Sequence, residues 1–217
     1  MNKKKIFKII LIIIAVIFII FLIHTVRNFI IISDLQNKIA EYSDNNNHRI
    51  KIISTQSNGT IVKTDYYKKD NNKVVFLERE MNGEKTKVSI YDTGESHHTF
   101  TDAKDVKKVS LNSGFIEVQI YNGTETENIG QTILSSIIAD IKSVKENGKE
   151  YYQLKHTVSP YSMSFEGETI LVDKETGLMY KNINSESTAT REYEFNNVDD
   201  SIFVEPDISE YTIQENQ

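Results

Sequence analysis

The chain has 217 residues, with 25 Lys and Arg against 31 Asp and Glu, a net charge of −6 and no cysteine. A cysteine-free chain has no disulfide framework and no site for lipid attachment at a processed cysteine. An acidic balance without a basic stripe excludes a nucleic-acid-binding surface.

Residues 9–23 carry no polar side chain, Lys3, Lys4, Lys5 and Lys8 stand just before them, and the next charge is Arg27. As a helix, residues 6–23 rise about 27 Å, close to the thickness of a bilayer core. The lysines predict a cytoplasmic N-terminus, with everything after His24 on the far side of the membrane. A signal peptide is the rival reading, but His24, Thr25, Val26, Arg27, Asn28 and Phe29 offer no small residues at the −3 and −1 positions of a cleavage site, so an uncleaved signal anchor is expected. Lys3, Lys4, Lys5, Lys8 and Arg27 are five positive charges with no acidic residue before Asp34, so the rest of the chain carries −11. That part is repelled by anionic headgroups, is long enough for one domain with its own core, and must fold without disulfides. Those features favour a bacterial cell surface.

Phe29, Ile32, Leu35, Ile39 and Tyr42 recur at spacings of three and four, which continues the anchor as an amphipathic helix to about Tyr42; the polar run 43–47 stops it. The exposed stripe is expected to pack on the domain behind it, with self-association as a short coiled coil as the alternative. From Arg49 the period changes to two, and Asn58-Gly59, Asp70-Asn71-Asn72, Asn82-Gly83 and Asp92-Thr93-Gly94 punctuate it. An antiparallel meander is predicted, with strands at 49–56, 60–68, 73–81, 85–91, 97–101 and 105–110. Ile116, Val118 and Ile120 alternate with polar neighbours and suggest one more strand.

Ile129, Ile133, Leu134, Ile137, Ile138 and Ile141 then give a wide apolar helical face, expected to end near Ala139 and to be covered by the sheet. Asn147-Gly148 predicts a hairpin, Tyr152, Leu154, His156 and Val158 a strand broken at Ser159-Pro160, and 169–172 and 178–183 a pair joined by the turn Asp173-Lys174-Glu175-Thr176-Gly177. A last strand at 187–195 sets Arg191, Tyr193 and Phe195 against Glu192 and Glu194 on the opposite face. Val198, Ile202, Phe203, Pro206 and Ile208 make 196–211 an ordered wrap over the core.

This order of elements, the hairpin Val172-Asp173-Lys174-Glu175-Thr176-Gly177-Leu178 and the closing Phe195 to Pro206 segment resemble the LolA-like group of bacterial envelope proteins over residues 33–211. The group includes outer-membrane lipoprotein carriers and the sensor domain of RseB-type regulators. The resemblance implies an incomplete β-barrel plugged by helices, with an apolar groove for acyl chains or a partner protein. A permanent anchor departs from the carriers, which must leave the membrane, and favours a tethered binder.

The expected fold is α+β: an N-terminal transmembrane helix followed by a curved, mostly antiparallel half-barrel packed on one or two helices. The expected organisation is a cytoplasmic N-terminus at 1–5, a signal anchor at 6–26, a juxtamembrane helix at 27–44 and an extracytoplasmic domain at 45–217.

The enzymatic motifs do not hold together. Ser89-Ile90-Tyr91-Asp92-Thr93-Gly94 looks like one half of an aspartic-protease site, but such chemistry needs two carboxylates sharing a proton, and a strand running into a turn explains it. His97 and His98 are adjacent and would point to opposite faces of a strand. Asp173-Lys174-Glu175 lacks the frame of a calcium loop, and the two Asn-Gly-Thr sequons at Asn58 and Asn122 read as turns. No catalytic residue, metal or cofactor is expected. Two functions stay open: a membrane-tethered module that binds a lipid or lipoprotein acyl chain, and a protein-interaction or sensory module of the envelope. For the first, the expected groove lies between helix residues Ile133, Leu134 and Ile137 and sheet residues Phe76, Ile90 and Val118.

Overall fold

The computed structural model describes residues 3–94, 97–104, 106–111, 114–126, 128–155 and 168–214. A single helix, α1 (Lys3–Ser43), runs from the apolar N-terminal segment into the domain without a break. It is long and apolar enough to cross a membrane, and the apolar window is fully exposed. Further along, Ile32, Leu35 and Ile39 are buried, so the amphipathic stripe packs on the domain as expected.

Among the other described residues, the strands form one twelve-stranded sheet, accompanied by a second helix and two short 3-10 turns. It comprises β1 (Asn47–Gln56), β2 (Ile61–Lys69), β3 (Asn72–Met81), β4 (Glu84–Asp92), β5 (His97–Ala103), β6 (Val106–Leu111), β7 (Asp140–Glu146), β8 (Lys149–Lys155), β9 (Thr169–Asp173), β10 (Met179–Ile183), β11 (Ser187–Phe195) and β12 (Thr212–Gln214). Their spatial order is β12-β6-β5-β4-β3-β2-β1-β11-β10-β9-β8-β7. Every pairing is antiparallel except β12 on β6. The fold is therefore α+β, with the predicted meander forming one half and β7 to β11 folding back to meet β1. Asn82-Gly83 and Asn147-Gly148 both take positive φ at both residues, the conformation a two-residue hairpin needs.

Two elements differ from their predicted form. Residues 114–120 are extended but join no ladder; Phe115, Val118 and Ile120 instead lie on Ile50, Tyr66, Val75 and Ile90. A period of two fits a segment draped on a sheet face as well as a strand within it. β12, three residues long, closes an edge that its sequence does not announce. His156, Val158, Ser159 and Pro160 lie outside the described residues.

Each face of the sheet has its own cover. On the inner face, Ile31, Ile32 and Leu35 of α1 pack with Ile141, Leu154, Ile170, Val172 and Met179, while the 114–120 segment covers β1 to β4. On the outer face, Val74, Tyr91, Phe100 and Val109 are sealed by the C-terminal wrap through Val198 and Phe203. Uncovered parts of the outer face carry ion pairs, such as the half-buried Arg49 with Asp65 at 2.7 Å and the more exposed Lys51 with Glu192 at 3.2 Å.

Asn122 joins the covers. It is fully buried, and its Nδ2 donates to the Gly177 carbonyl at 2.8 Å and the Leu35 carbonyl at 3.2 Å. Its Oδ1 accepts from the Thr124 amide at 3.0 Å and hydroxyl at 2.6 Å. The same Asn-Gly-Thr triplet at Asn58 makes the same turn, with Asn58 Oδ1 accepting from the Thr60 amide at 2.9 Å. Gly177, at φ +72°, sits so close to α1 that an added Cβ would lie 2.7 Å from Lys38 Cβ. Asn122→Ala strands the Gly177 carbonyl and the Thr124 amide without partners, so a loss of about 2–4 kcal/mol is expected in urea unfolding, well above the effect of Asn58→Ala at the exposed turn.

Candidate functional site

Because α1 covers one part of the inner face and the 114–120 segment another, a gap remains between them. It is an open cleft of about 550 Å³, within the range of small-ligand sites. From α1 it takes Gln36, Ile39, Ala40 and Ser43, spaced so that all lie on one side of the helix. The sheet supplies His48, Tyr66 and Lys68, and the facing wall is Glu117, Val118, Gln119, Ile120, Glu125 and Thr126. β1 and β2 pair His48 with Lys68 and Ile50 with Tyr66, which puts all four side chains on the inner face.

Gln36 ties the walls together, donating to the Thr124 carbonyl at 2.6 Å and the Thr126 hydroxyl at 3.0 Å. The Glu125 carboxylate accepts from the backbone amides of Asn122, at 2.5 Å, and Gly123, at 2.8 Å. Burial nevertheless dominates and pushes its carboxyl above the usual range.

His48 is 3% exposed and stacks near Tyr66 and Phe195, with ring centroids 5.7 and 6.3 Å away. Its Nδ1 lies 2.6 Å from the Asn45 carbonyl, which assigns the proton to that nitrogen. Burial, with a smaller contribution from the Lys68 charge, lowers its pKa and keeps the ring neutral. Nε2 is therefore an acceptor, and it has no hydrogen-bond partner among the described residues. Among those residues Lys68 likewise has no carboxylate at ion-pair distance, whereas Glu117 is held by Lys73 at 3.5 Å. The cleft thus combines an aliphatic wall of Ile39, Val118 and Ile120 with Lys68, a cation that has no carboxylate at ion-pair distance among the described residues, while His48 Nε2 is buried out of contact with solvent.

The structure does not bring the six sequence-predicted groove residues together. Val118 lines the cleft, and Ile90 lies beneath it in the same cluster. Phe76 faces the other side of the sheet, among Tyr67, Tyr91 and the C-terminal wrap. Ile133, Leu134 and Ile137 lie on α2 (Ile129–Ile138), whose buried residues are Thr132, Ser135 and Ser136. That helix turns its small polar face inward and its aliphatic face outward, because its neighbour is the polar Asn28 of α1: Asn28 Nδ2 donates to the Ala139 carbonyl at 2.7 Å and the Ser136 carbonyl at 3.2 Å. The helix bordering the groove is α1.

The motifs with enzymatic appearance are used structurally. Asp92 Oδ1 accepts from the Gly94 amide at 3.2 Å within its turn. Asp173 Oδ1 accepts from the amides of Glu175 and Thr176 at 2.8 and 3.1 Å. His98 Nδ1 lies 2.6 Å from Glu205, and His97 is 3.4 Å from Asp92.

No protein-family model matches the chain, and no curated protein matches it. Among solved structures it is similar to MucB in complex with MucA(peri), at 15% identity and a TM-score of 0.35, over 78% of this chain and 58% of that one. It is also similar to PNGF-II, at 9% identity and a TM-score of 0.29, over 78% of this chain and 30% of that one. The LolA superfamily protein NE2245 from Nitrosomonas europaea matches at 10% identity and a TM-score of 0.26, over 80% of this chain and 97% of that one. The chain spans less than two thirds of the MucB and PNGF-II chains. These are likenesses of fold outline, and the functional reading rests on the cleft.

The neutral state of His48 links the cleft to pH. With a folded pKa below the ordinary 6.5, the unfolded chain binds a proton that the folded chain refuses, so its contribution is intact above that value and is lost as pH falls through the folded pKa. Urea midpoints measured from pH 8 to pH 5 are expected to fall more steeply for the natural chain than for His48→Gln; parallel curves would show that His48 does not carry this linkage.

Proposed function

We propose that the chain is a membrane-tethered extracytoplasmic binding module that takes an amphipathic ligand, an acyl chain with a polar head, in the cleft between α1 and the sheet. One observation carries the reading: the aliphatic wall of Ile39, Val118 and Ile120 stands beside Lys68, which has no carboxylate at ion-pair distance among the described residues. An acyl segment gains about 0.8 kcal/mol per methylene withdrawn from water, so about fifteen methylenes, roughly 12 kcal/mol, offset a binding cost of about 4 kcal/mol and leave micromolar affinity. Lys68 favours an anionic head. A domain that is otherwise strongly acidic gains nothing in solubility from a lone half-buried lysine, whereas a carboxylate or phosphate gives that lysine a partner. The N-terminal part of α1 serves as the tether, uncleaved, with its lysines in the cytoplasm.

Two measurements test this. Full-length protein in nanodiscs, titrated with a fluorescent fatty acid and with the matching fatty alcohol, is expected to bind both. Ala40→Trp fills the cleft from the exposed side of α1 and should abolish binding of both with the fold retained. Lys68→Gln should weaken the acid by about two- to fivefold and leave the alcohol unchanged, the size of a partly screened ion pair. Failure of the natural chain to bind either probe, with no lipid co-purifying in native mass spectrometry, would replace this reading with that of a protein-interaction module. For the tether, protease added to intact protoplasts should digest the domain, and a native N-terminus at or beyond Thr25 would overturn the anchor.

A further inference from the structure

We propose that α2 seats its aliphatic face in the outer leaflet of the bilayer, so that the domain touches the membrane at a second place beside the anchor. The inference rests on reading residues 9–23 as the span. On α2, Ile129 is 65% exposed, Leu134 48%, Ile133 46%, and Ile137 and Ile138 each 37%, and the helix carries no charged side chain. A water-facing helix of a folded domain has the opposite arrangement, with aliphatic residues inward. Small polar residues between helices and aliphatic residues outward are how helices pack in lipid, where burying aliphatic surface between proteins gains little.

Position supplies the occupant. The chain leading into α2 meets α1 at Gln36, and the end of α2 meets it at Asn28 and Arg27, whose guanidinium donates to the Ile141 carbonyl at 3.1 Å. α2 therefore descends along α1 toward the apolar span. Its C-terminal half, carrying Leu134, Ile137 and Ile138, lies level with Asn28, five residues past Ile23 and about 7 Å along the helix axis. That height is at the outer edge of the headgroup layer, about 5–7.5 Å thick on each side of the core, from which the aliphatic side chains reach inward to the boundary where an amphipathic helix settles. Val26 and Ile30 of α1, 56% and 62% exposed, continue the aliphatic surface from the span to this level. Several polar groups a bilayer would reject are used, since Asn28 Nδ2 bonds the last carbonyls of α2 and Ser136 Oγ donates to the Thr132 carbonyl at 2.7 Å, while Asn28 Oδ1 and Thr25 Oγ1 are buried without a partner among the described residues.

The cysteine-free chain permits a clean test. Full-length Leu134→Cys, Ile137→Cys, Ile20→Cys and, in an exposed turn, Asn71→Cys are labelled with an environment-sensitive nitrobenzoxadiazole and placed in phosphatidylethanolamine–phosphatidylglycerol nanodiscs containing nitroxide lipids. Circular dichroism checks the fold of each. Leu134→Cys and Ile137→Cys are expected to shift to the blue and to be quenched by headgroup nitroxides, Ile20→Cys by nitroxides on the upper acyl chain, and Asn71→Cys by neither. Quenching at Ile20 alone overturns the second contact and leaves the tether standing. Absence of quenching at Ile20 overturns the tether and this inference with it. A blue shift at Ile137 without lipid quenching, accompanied by cross-links between copies, assigns the face to a second chain and also overturns the proposal.

Discussion

The position of α1 on the inner face fixes the other covers of that face, and it is held by one buried polar junction. The Leu35 carbonyl, the Asn122 side chain and the Gly177 carbonyl belong to three segments that are distant in sequence, and they meet where no water can substitute. Hydrophobic contact between α1 and β7 to β10 brings the helix down, but such contact is non-directional and would tolerate rotation of the helix. Asn122 removes that freedom, because its amide reaches the Gly177 carbonyl and the Leu35 carbonyl together only in one setting of the helix, and the Gly177 carbonyl is bare in any other. Gly177 is the steric counterpart: its positive φ and the proximity of Lys38 leave no space for a side chain.

The cleft is a consequence of that seating. A helix and an extended strand cover unequal widths of sheet, so a face shared between them cannot be sealed along their common border. The residues at the border show it. α1 presents Gln36, Ala40 and Ser43 there in place of large aliphatics, and the facing segment offers Gln119, Glu125 and Thr126 beside Val118 and Ile120. Glu125 is held by backbone amides and pushed toward its neutral form, and His48 is kept neutral by burial. Both are the protonation states that an apolar occupant tolerates best.

Most of the fold was legible because strand alternation and turn chemistry agree along the chain. The six meander strands, the hairpins at Asn82-Gly83 and Asn147-Gly148, the end of α1 near Ser43 and the C-terminal wrap all followed from local pattern. The site was not legible, for two physical reasons. A helical period says which residues share a face but not which face is buried; on α2 the stripe of Thr132, Ser135, Ser136 and Ala139 has the same spacing as the aliphatic one, and only the presence of Asn28 opposite decides. The cleft residues are also joined by register. His48 and Lys68 are twenty positions apart, and nothing in either marks the cross-strand pairing that sets them side by side. The small or polar residues Gln36, Ala40 and Ser43 beside an apolar helical stripe were the one local signal of an incomplete cover.

The continuity of α1 constrains how a tethered binder of this kind would work. Ile39 lies sixteen residues past Ile23, about 24 Å along the axis, and an ordinary tilt of about 20° lowers that height only slightly. An acyl chain in the cleft has therefore left the bilayer completely. Moving it from hydrocarbon to an aliphatic wall changes its apolar contacts little, so the hydrophobic effect that favours the cleft over water does not favour it over the membrane. Discrimination against bulk lipid then falls to the cation at the wall, Lys68, because an ion pair with the head is an interaction a bilayer interior cannot supply. The chemistry of the head, more than the length of the chain, is what such a cleft selects.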